Sequence, residues 1–168
     1  MGVGVEVDKR GRHIRSIPEI GAIIKDMKKH NVYVLLRLSM SFIFLWAFLD
    51  KTFGLGFATK VGNAWIKGGS PTTGFLSNAV KGPFADFFHS IAGSAVVDWM
   101  FMLGLLFVGL TLLFNRYVKW GALAGAVMMA LMYLALIMPA NNPVLDEHII
   151  YILVLVLLGK ESGRGWRG

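Results

Sequence analysis

The chain has 168 residues, 55% of them hydrophobic and only 16% charged, with a mean hydropathy of +0.60. That is too apolar and too charge-poor for an ordinary small soluble domain, so a membrane protein is the first expectation. The absence of cysteine excludes a disulfide, a thiol nucleophile, a CxxC redox pair and a thiolate-ligated metal.

The first 30 residues are polar and basic and lack an apolar stretch followed by a small-residue cleavage site, so span one is expected to serve as its own insertion signal. Met1 to Gly11 is glycine-rich and is expected to be mobile. Ser16 to His30 reads as a short surface helix. Its apolar stripe is Ile17, Ile20, Ile24 and Met27, beside Lys25, Lys28 and Lys29. Such a helix suits the membrane interface, and equally a place against the bundle base or another subunit.

Four windows lack Asp, Glu, Lys, Arg and His: Leu38–Leu49, Trp99–Asn115, Trp120–Leu145 and Ile149–Gly159, of 12, 17, 26 and 11 residues. Only the third reaches the roughly 20 residues that a helix needs to cross a bilayer, but each of the others extends into further apolar sequence. The expected fold is an all-α integral membrane protein, a four-transmembrane-helix bundle. Its parts are a cytoplasmic segment 1–30, a membrane domain 31–159 with an amphipathic helical outer loop 52–97, and a tail 160–168.

Charge placement orients this bundle. The net charge of +7 invites a nucleic-acid reading, but position argues against it. Twelve of the Lys and Arg residues fall in 1–30, at Arg116 and Lys119, and in the tail, all on one side of a four-span chain. Four, Lys51, Lys60, Lys67 and Lys81, fall on the other. The imbalance places both termini in the cytoplasm of a cell membrane, with no nucleic acid as partner.

Within span one, "NVYVLLRLSMSFIFLWAFLDK", Arg37 is the charged exception. It lies roughly 8 Å inside Val32 at 1.5 Å per residue. From there it either snorkels to the basic side or turns inward to hold a phospholipid head, a carboxylate or a partner subunit. In the outer loop, Phe57, Val61 and Trp65 recur at helical spacing until "GGSPTTG" breaks the pattern. A second short helix is expected after Pro83, with Phe84, Phe87, Phe88 and Ile91 on one face. Both suit a cap, either sealing the bundle or facing lipid or an apolar ligand.

Span two is expected near Val96–Phe114. Asp98 favours its N-terminus, and Trp99, Tyr117 and Trp120 form interfacial belts. Span three, about Trp120–Met138, carries Gly121 and Gly125 in a GxxxG pattern continued by Ala126 and Ala130, which identifies a close helix contact. Met128, Met129, Met132 and Met138 read as packing residues and not as a metal site. The hydroxyl of Tyr133 needs a partner at depth. Pro139 stops span three, and Pro143 opens span four, expected to end at Gly159.

An up-down arrangement gathers Asp50 with Lys51, Asp98, and Asp146 with Glu147 and His148 at one mouth, with Arg37 near the opposite end. The bland reading of the last triplet is acids placed favourably in a first helical turn. The sharper reading is proton handling, because crowding raises carboxylate pKa values and histidine titrates near neutrality. A quinol or another amphipathic carrier needs such a polar rim beside an apolar groove. His13, His30, His89 and His148 form no evident haem-ligating pair, and no Rossmann, P-loop or HExxH pattern is present.

The segments "LLRLSMSFIFLWAFLDK", "GSPTTGFL", "GPFADFF" and "NNPVLDEHIIYILVLVLL", in that order over Val32–Gly159, resemble the DoxX/DoxD-like family of small four-span membrane proteins. DoxD is the large membrane subunit of a thiosulfate:quinone oxidoreductase. The resemblance implies a membrane subunit of a quinone-linked respiratory or sulfur-oxidising complex, with other membrane subunits and quinone or phospholipid as partners. The small DoxA subunit is absent from this chain. The matching polar positions are Arg37, Asp50, Lys51, Glu147 and His148. The expected catalytic set is Asp50, Glu147 and His148, and the expected quinone-binding set is Arg37, Trp46, Lys51 and Tyr133. The alternative expectation is a non-catalytic structural or assembly subunit, and a transporter is a weaker third class because four spans show no inverted repeat.

Overall fold

In the computed structural model the described residues are 6–7, 13–14, 17–137 and 144–162. Expectations for Met138, Pro139, Pro143, the tail 163–168 and most of the first eleven residues lie outside them. The chain divides into two units, Met1–Leu35 and Leu36–Gly168.

In the first unit, strands β1 (Glu6–Val7) and β2 (His13–Ile14) pair antiparallel, Glu6 opposite Ile14 and Val7 opposite His13. Within the stretch expected to be mobile, Glu6–Val7 is thus paired as a strand. The expected separate helix over Ser16–His30 is corrected. One uninterrupted helix, α1, runs Ile17–Phe53, because neither Gly21 nor Asn31 breaks the i to i−4 ladder.

Among the described residues the second unit contains the rest of α1 and five more α-helices: α2 (Thr73–Asn78), α3 (Ala85–Ser90), α4 (Ala95–Leu113), α5 (Val118–Ala135) and α6 (Glu147–Ser162). Three stretches among the described residues, Lys29–Phe53, Ala95–Leu113 and Val118–Ala135, are long and apolar enough to cross a membrane. At most 39% of any of these windows is buried, so most of each apolar surface faces outward. The α6 helix, at 16 residues, begins at Glu147 and not at Pro143, four residues later than the proline signal implies.

Neighbouring helices run antiparallel, as their contacts show. The Ser41 hydroxyl donates to the Gly109 carbonyl at 2.8 Å, and Leu45 lies against Gly109, one turn along each helix from the Arg37 contact with Leu112. Between α4 and α5, Thr111 faces Gly121 and Val108 faces Gly125. Between α5 and α6, Ala122 faces Gly159 and Gly125 faces Leu155.

Gly125 marks the centre of the bundle. A Cβ placed there would sit 3.0 Å from Leu155 Cδ1, 3.1 Å from Val108 Cγ1 and 3.3 Å from Phe44 Cζ, one neighbour from each of the other three long helices. Phe44, Val108 and Leu155 are fully or almost fully buried there, as are Met102, Leu112 and Leu158 elsewhere on the long helices. The small-residue spacing read from the sequence is thus the surface on which α4, α1 and α6 close.

The loop between α1 and α4 departs from expectation. No α-helix forms over Phe57, Val61 and Trp65; two 3-10 turns, Val61–Asn63 and Trp65–Lys67, take its place. Lys60 and Ala64 have extended backbone within this stretch, and Gly56 and Gly68, with positive φ, turn the chain on either side of it, so no continuous helix is sustained. Conversely, α2 begins inside the GGSPTTG motif, whose last two residues, Thr73 and Gly74, are its first turn. The expected helix after Pro83 is present as α3, with Phe88 buried and Phe84 and Phe87 exposed. Leu76, Val80 and Phe88 make a small core with Ala135 at the end of α5, and the Lys81 N–H donates to the Ala135 carbonyl at 3.1 Å. The loop therefore satisfies one of the carbonyls that the end of α5 leaves open.

Candidate functional site

Arg37 and the acidic residues Asp50, Asp98 and Asp146 separate to the two ends of the bundle, and each takes backbone groups among its partners. The last turn of α4 presents four carbonyls, Leu110 to Leu113, of which Leu110 keeps a helical bond and the other three need partners from beyond the helix. Leu110 accepts from the Phe114 N–H and Thr111 from the Arg116 N–H. The other two are met by Arg37, whose Nη1 donates to the Leu112 carbonyl and, at 3.0 Å, to the Leu113 carbonyl. Arg37 is buried. Its cation sits at the negative end of the α4 dipole, so a helix end balances its charge. This is a capping role that neither snorkelling nor ligand binding anticipates.

At the opposite end, Asp50 is 1% exposed and both its oxygens are engaged. Oδ2 accepts from the Thr59 N–H at 2.8 Å and Oδ1 from the Phe57 N–H at 3.3 Å. The carboxylate thereby folds the first turn of the outer loop back onto α1. Asp98, in the first turn of α4, does the same for the next part of the loop. Its Oδ1 accepts from the Ser70 hydroxyl at 2.9 Å, the Thr72 N–H at 3.3 Å and the Thr72 hydroxyl. Ser70 Oγ in turn accepts from the Thr73 N–H at 3.1 Å and faces the Thr73 hydroxyl at 2.6 Å. The "GSPTTG" segment is thus a polar clasp around one carboxylate, and that clasp starts α2. Lys51 Nζ donates to the Pro71 carbonyl at 3.1 Å, lies 5.7 Å from the Phe101 ring centroid, and has Asp50 and Asp98 as its anionic neighbours.

The third acidic group caps α6. Asp146 Oδ1 accepts from the N–H groups of His148, at 3.0 Å, and Ile149, at 3.2 Å. The Asp146 carbonyl accepts the first helical bond, from the Ile150 N–H at 3.3 Å. That is the geometry of an N-cap aspartate, and it explains why the helix starts at Glu147. Oδ2 lies 2.7 Å from Nδ1 of the buried His148 ring. Desolvation pushes the Asp146 carboxyl up, but the His148 ring, the two N–H groups and the His148 charge outweigh it and hold the carboxyl below the ordinary carboxylate range. Donor atoms of Asp146, Glu147 and His148 fall within 4.8 Å of one another. Both Asp146 oxygens already have partners, so the group is read as a helix cap. Glu147 itself is exposed.

The expected site residues are thus divided among separate places. Asp50 and Lys51 belong to the loop clasp, and Glu147 and His148 to the α6 cap. Among the described residues no hydrogen bond joins these two groups. Trp46 stacks on Phe42, with centroids 5.8 Å apart, and meets Phe57 edge-on at 5.1 Å on the outward face of α1. The Tyr133 hydroxyl has the partner it needs, donating to the Val144 carbonyl at 3.0 Å. Sequence reasoning missed Ser70 and Thr72 as partners of Asp98, although the run of hydroxyls beside a proline was visible. It also missed the buried Glu161, which follows Lys160 in the last turn of α6. No family model, curated protein or solved structure matches this chain.

Proposed function

We propose that the chain is a four-span integral membrane subunit, with α6 as the fourth span, that serves as a structural or assembly component of a larger membrane complex. One observation carries this reading: the buried charges Arg37, Asp50 and Asp98 are each spent on fixing helix ends and the outer loop, while the long helices keep wide apolar faces outward. A scaffold needs that combination, since rigid ends hold a lipid-facing or partner-facing surface in register. The resemblance to DoxX/DoxD-like proteins supplies the class of complex, a quinone-linked respiratory or sulfur-oxidising one.

Two experiments test the proposal. Because the chain has no cysteine, single cysteines placed at 116 and 147 report their sides directly; labelling both from the same side would refute the four-span arrangement. Mild detergent extraction should then recover the chain with other membrane subunits. Recovery as a bare chain would refute the assembly role.

A second reading, quinone-linked turnover with protons handled at the outer rim, is favoured by Glu147, an exposed carboxylate one residue from the Asp146–His148 pair. Under it, Glu147→Gln slows quinone-dependent absorbance changes at normal protein abundance. Rates unchanged across pH would remove Glu147 from the reaction.

A further inference from the structure

Between α5 and α6 lies an open groove of about 370 Å³, at the end of the bundle where Arg37 caps α4. Its floor is Ala122, Ala126, Leu155 and Gly159, and its mouth carries Lys119 and Lys160. Small residues make the groove. The helices touch where a Cβ on Gly159 would sit 3.2 Å from the Ala122 Cβ, and the short side chains beside that contact leave the trough unfilled.

The two lysines come from opposite ends of the sequence of this helical pair, the first turn of α5 and the last turn of α6, yet they converge on one mouth. Both are exposed, and among the described residues neither forms an ion pair. The first turn of α5 adds positive character, because Tyr117 at its N-cap has left-handed backbone and makes no side-chain cap. Exposed Phe114, Tyr117 and Trp120 surround this level, which is where aromatic side chains sit at a membrane interface. A lipid-facing apolar trough under a cationic mouth at headgroup depth is complementary to one ligand chemistry, an anionic head on an acyl chain.

We propose that this groove is a binding site for an anionic phospholipid, with Lys119 and Lys160 on the phosphate and one acyl chain along Ala122, Ala126 and Leu155. The inference rests on the membrane reading above. The test uses the full chain in mild detergent, with phosphatidylglycerol and phosphatidylcholine of the same acyl chains, and bound lipid counted by native mass spectrometry. The wild type should retain phosphatidylglycerol preferentially. Lys119→Gln with Lys160→Gln should lower that preference roughly tenfold or more, the scale set by two lysines near an anionic surface. Lys67→Gln with Lys81→Gln, an equal charge change at the other end, should leave it intact. Ala126→Phe, which fills the trough and keeps both lysines, should lower retention as well.

Equal retention of the two lipids overturns the site, as does equal loss in the Lys67/Lys81 control. Unchanged retention in Ala126→Phe overturns the acyl trough. A shift in subunit stoichiometry with unchanged lipid preference would assign the groove to a second copy of the chain, against the proposal. A chain that inserts with the expected labelling but shows no preference fails here alone, whereas one that does not insert fails the membrane reading first.

Discussion

Replacing Gly121 with alanine tests the packing of α5 on α4. A Cβ at Gly121 would overlap the Thr111 hydroxyl and sit 2.8 Å from Thr111 Cβ. Thr111 has no easy escape, because its hydroxyl is bonded to its own helix at the Phe107 and Val108 carbonyls, at 2.9 and 3.0 Å. To restore ordinary contact either the helices must separate by more than about an ångström or the Thr111 hydroxyl must rotate away and give up its bonds, and overpacking of this kind costs about 1–3 kcal/mol. Alanine returns up to about 1 kcal/mol through its better helix propensity. The net is a destabilisation of about 1–2 kcal/mol, or a fall in Tm of roughly 2–8 °C for a chain of this size.

Gly74→Ala is the internal control. Gly74 lies in α2, and a Cβ there meets nothing within 4 Å, so only the propensity gain applies. Thermal unfolding of the purified chain in one detergent, followed by near-ultraviolet circular dichroism, measures both variants. A Gly121→Ala protein as stable as Gly74→Ala would refute the close approach of α4 and α5.

Other perturbations reach the helix ends. Arg37→Leu strips the Leu112 and Leu113 carbonyls of their donor and should cost about 1.5–3 kcal/mol, the usual worth of hydrogen bonds to a charged group. Arg37→Lys should recover part of it, and equal stability of Arg37→Leu and wild type in denaturant titration would count against the cap. Asp146→Ala should cost about 1 kcal/mol as a lost N-cap, whereas Asp146→Asn keeps an acceptor for the α6 N–H groups and should cost less. The pH dependence separates the charge from the cap. With the folded Asp146 carboxyl held below its unfolded value near 3.9, its contribution is fully present above about pH 5. It is lost as the pH falls through the lowered folded value. The stability advantage of wild type over Asp146→Asn should shrink over that acid range, and an advantage constant from neutral pH to below 3 would contradict the linkage.

Composition and spacing alone determined that the chain is dominated by apolar helices, roughly where α4 and α5 lie, and that Gly121 and Gly125 face a neighbour. These properties are local or periodic: a helix long enough to span is a run of residues, and a GxxxG face is a spacing. The partners of the charged side chains were decided only by tertiary structure. Asp50 and Asp98 looked like a shared acidic mouth because they fall at matching helix ends. In the fold both do neighbour Lys51, but Asp50 collects N–H groups and Asp98 an N–H and two hydroxyls, from loop residues 7 to 28 positions away, a pairing that depends on how the chain returns. Arg37 likewise finds its acceptors 75 and 76 residues on, at carbonyls that the sequence does not mark because every helix end leaves them open. The groove between α5 and α6 has the same origin. Lys119 and Lys160 become neighbours only once two antiparallel helices meet at glycine and alanine, so the cationic mouth is a property of the crossing and of neither helix by itself.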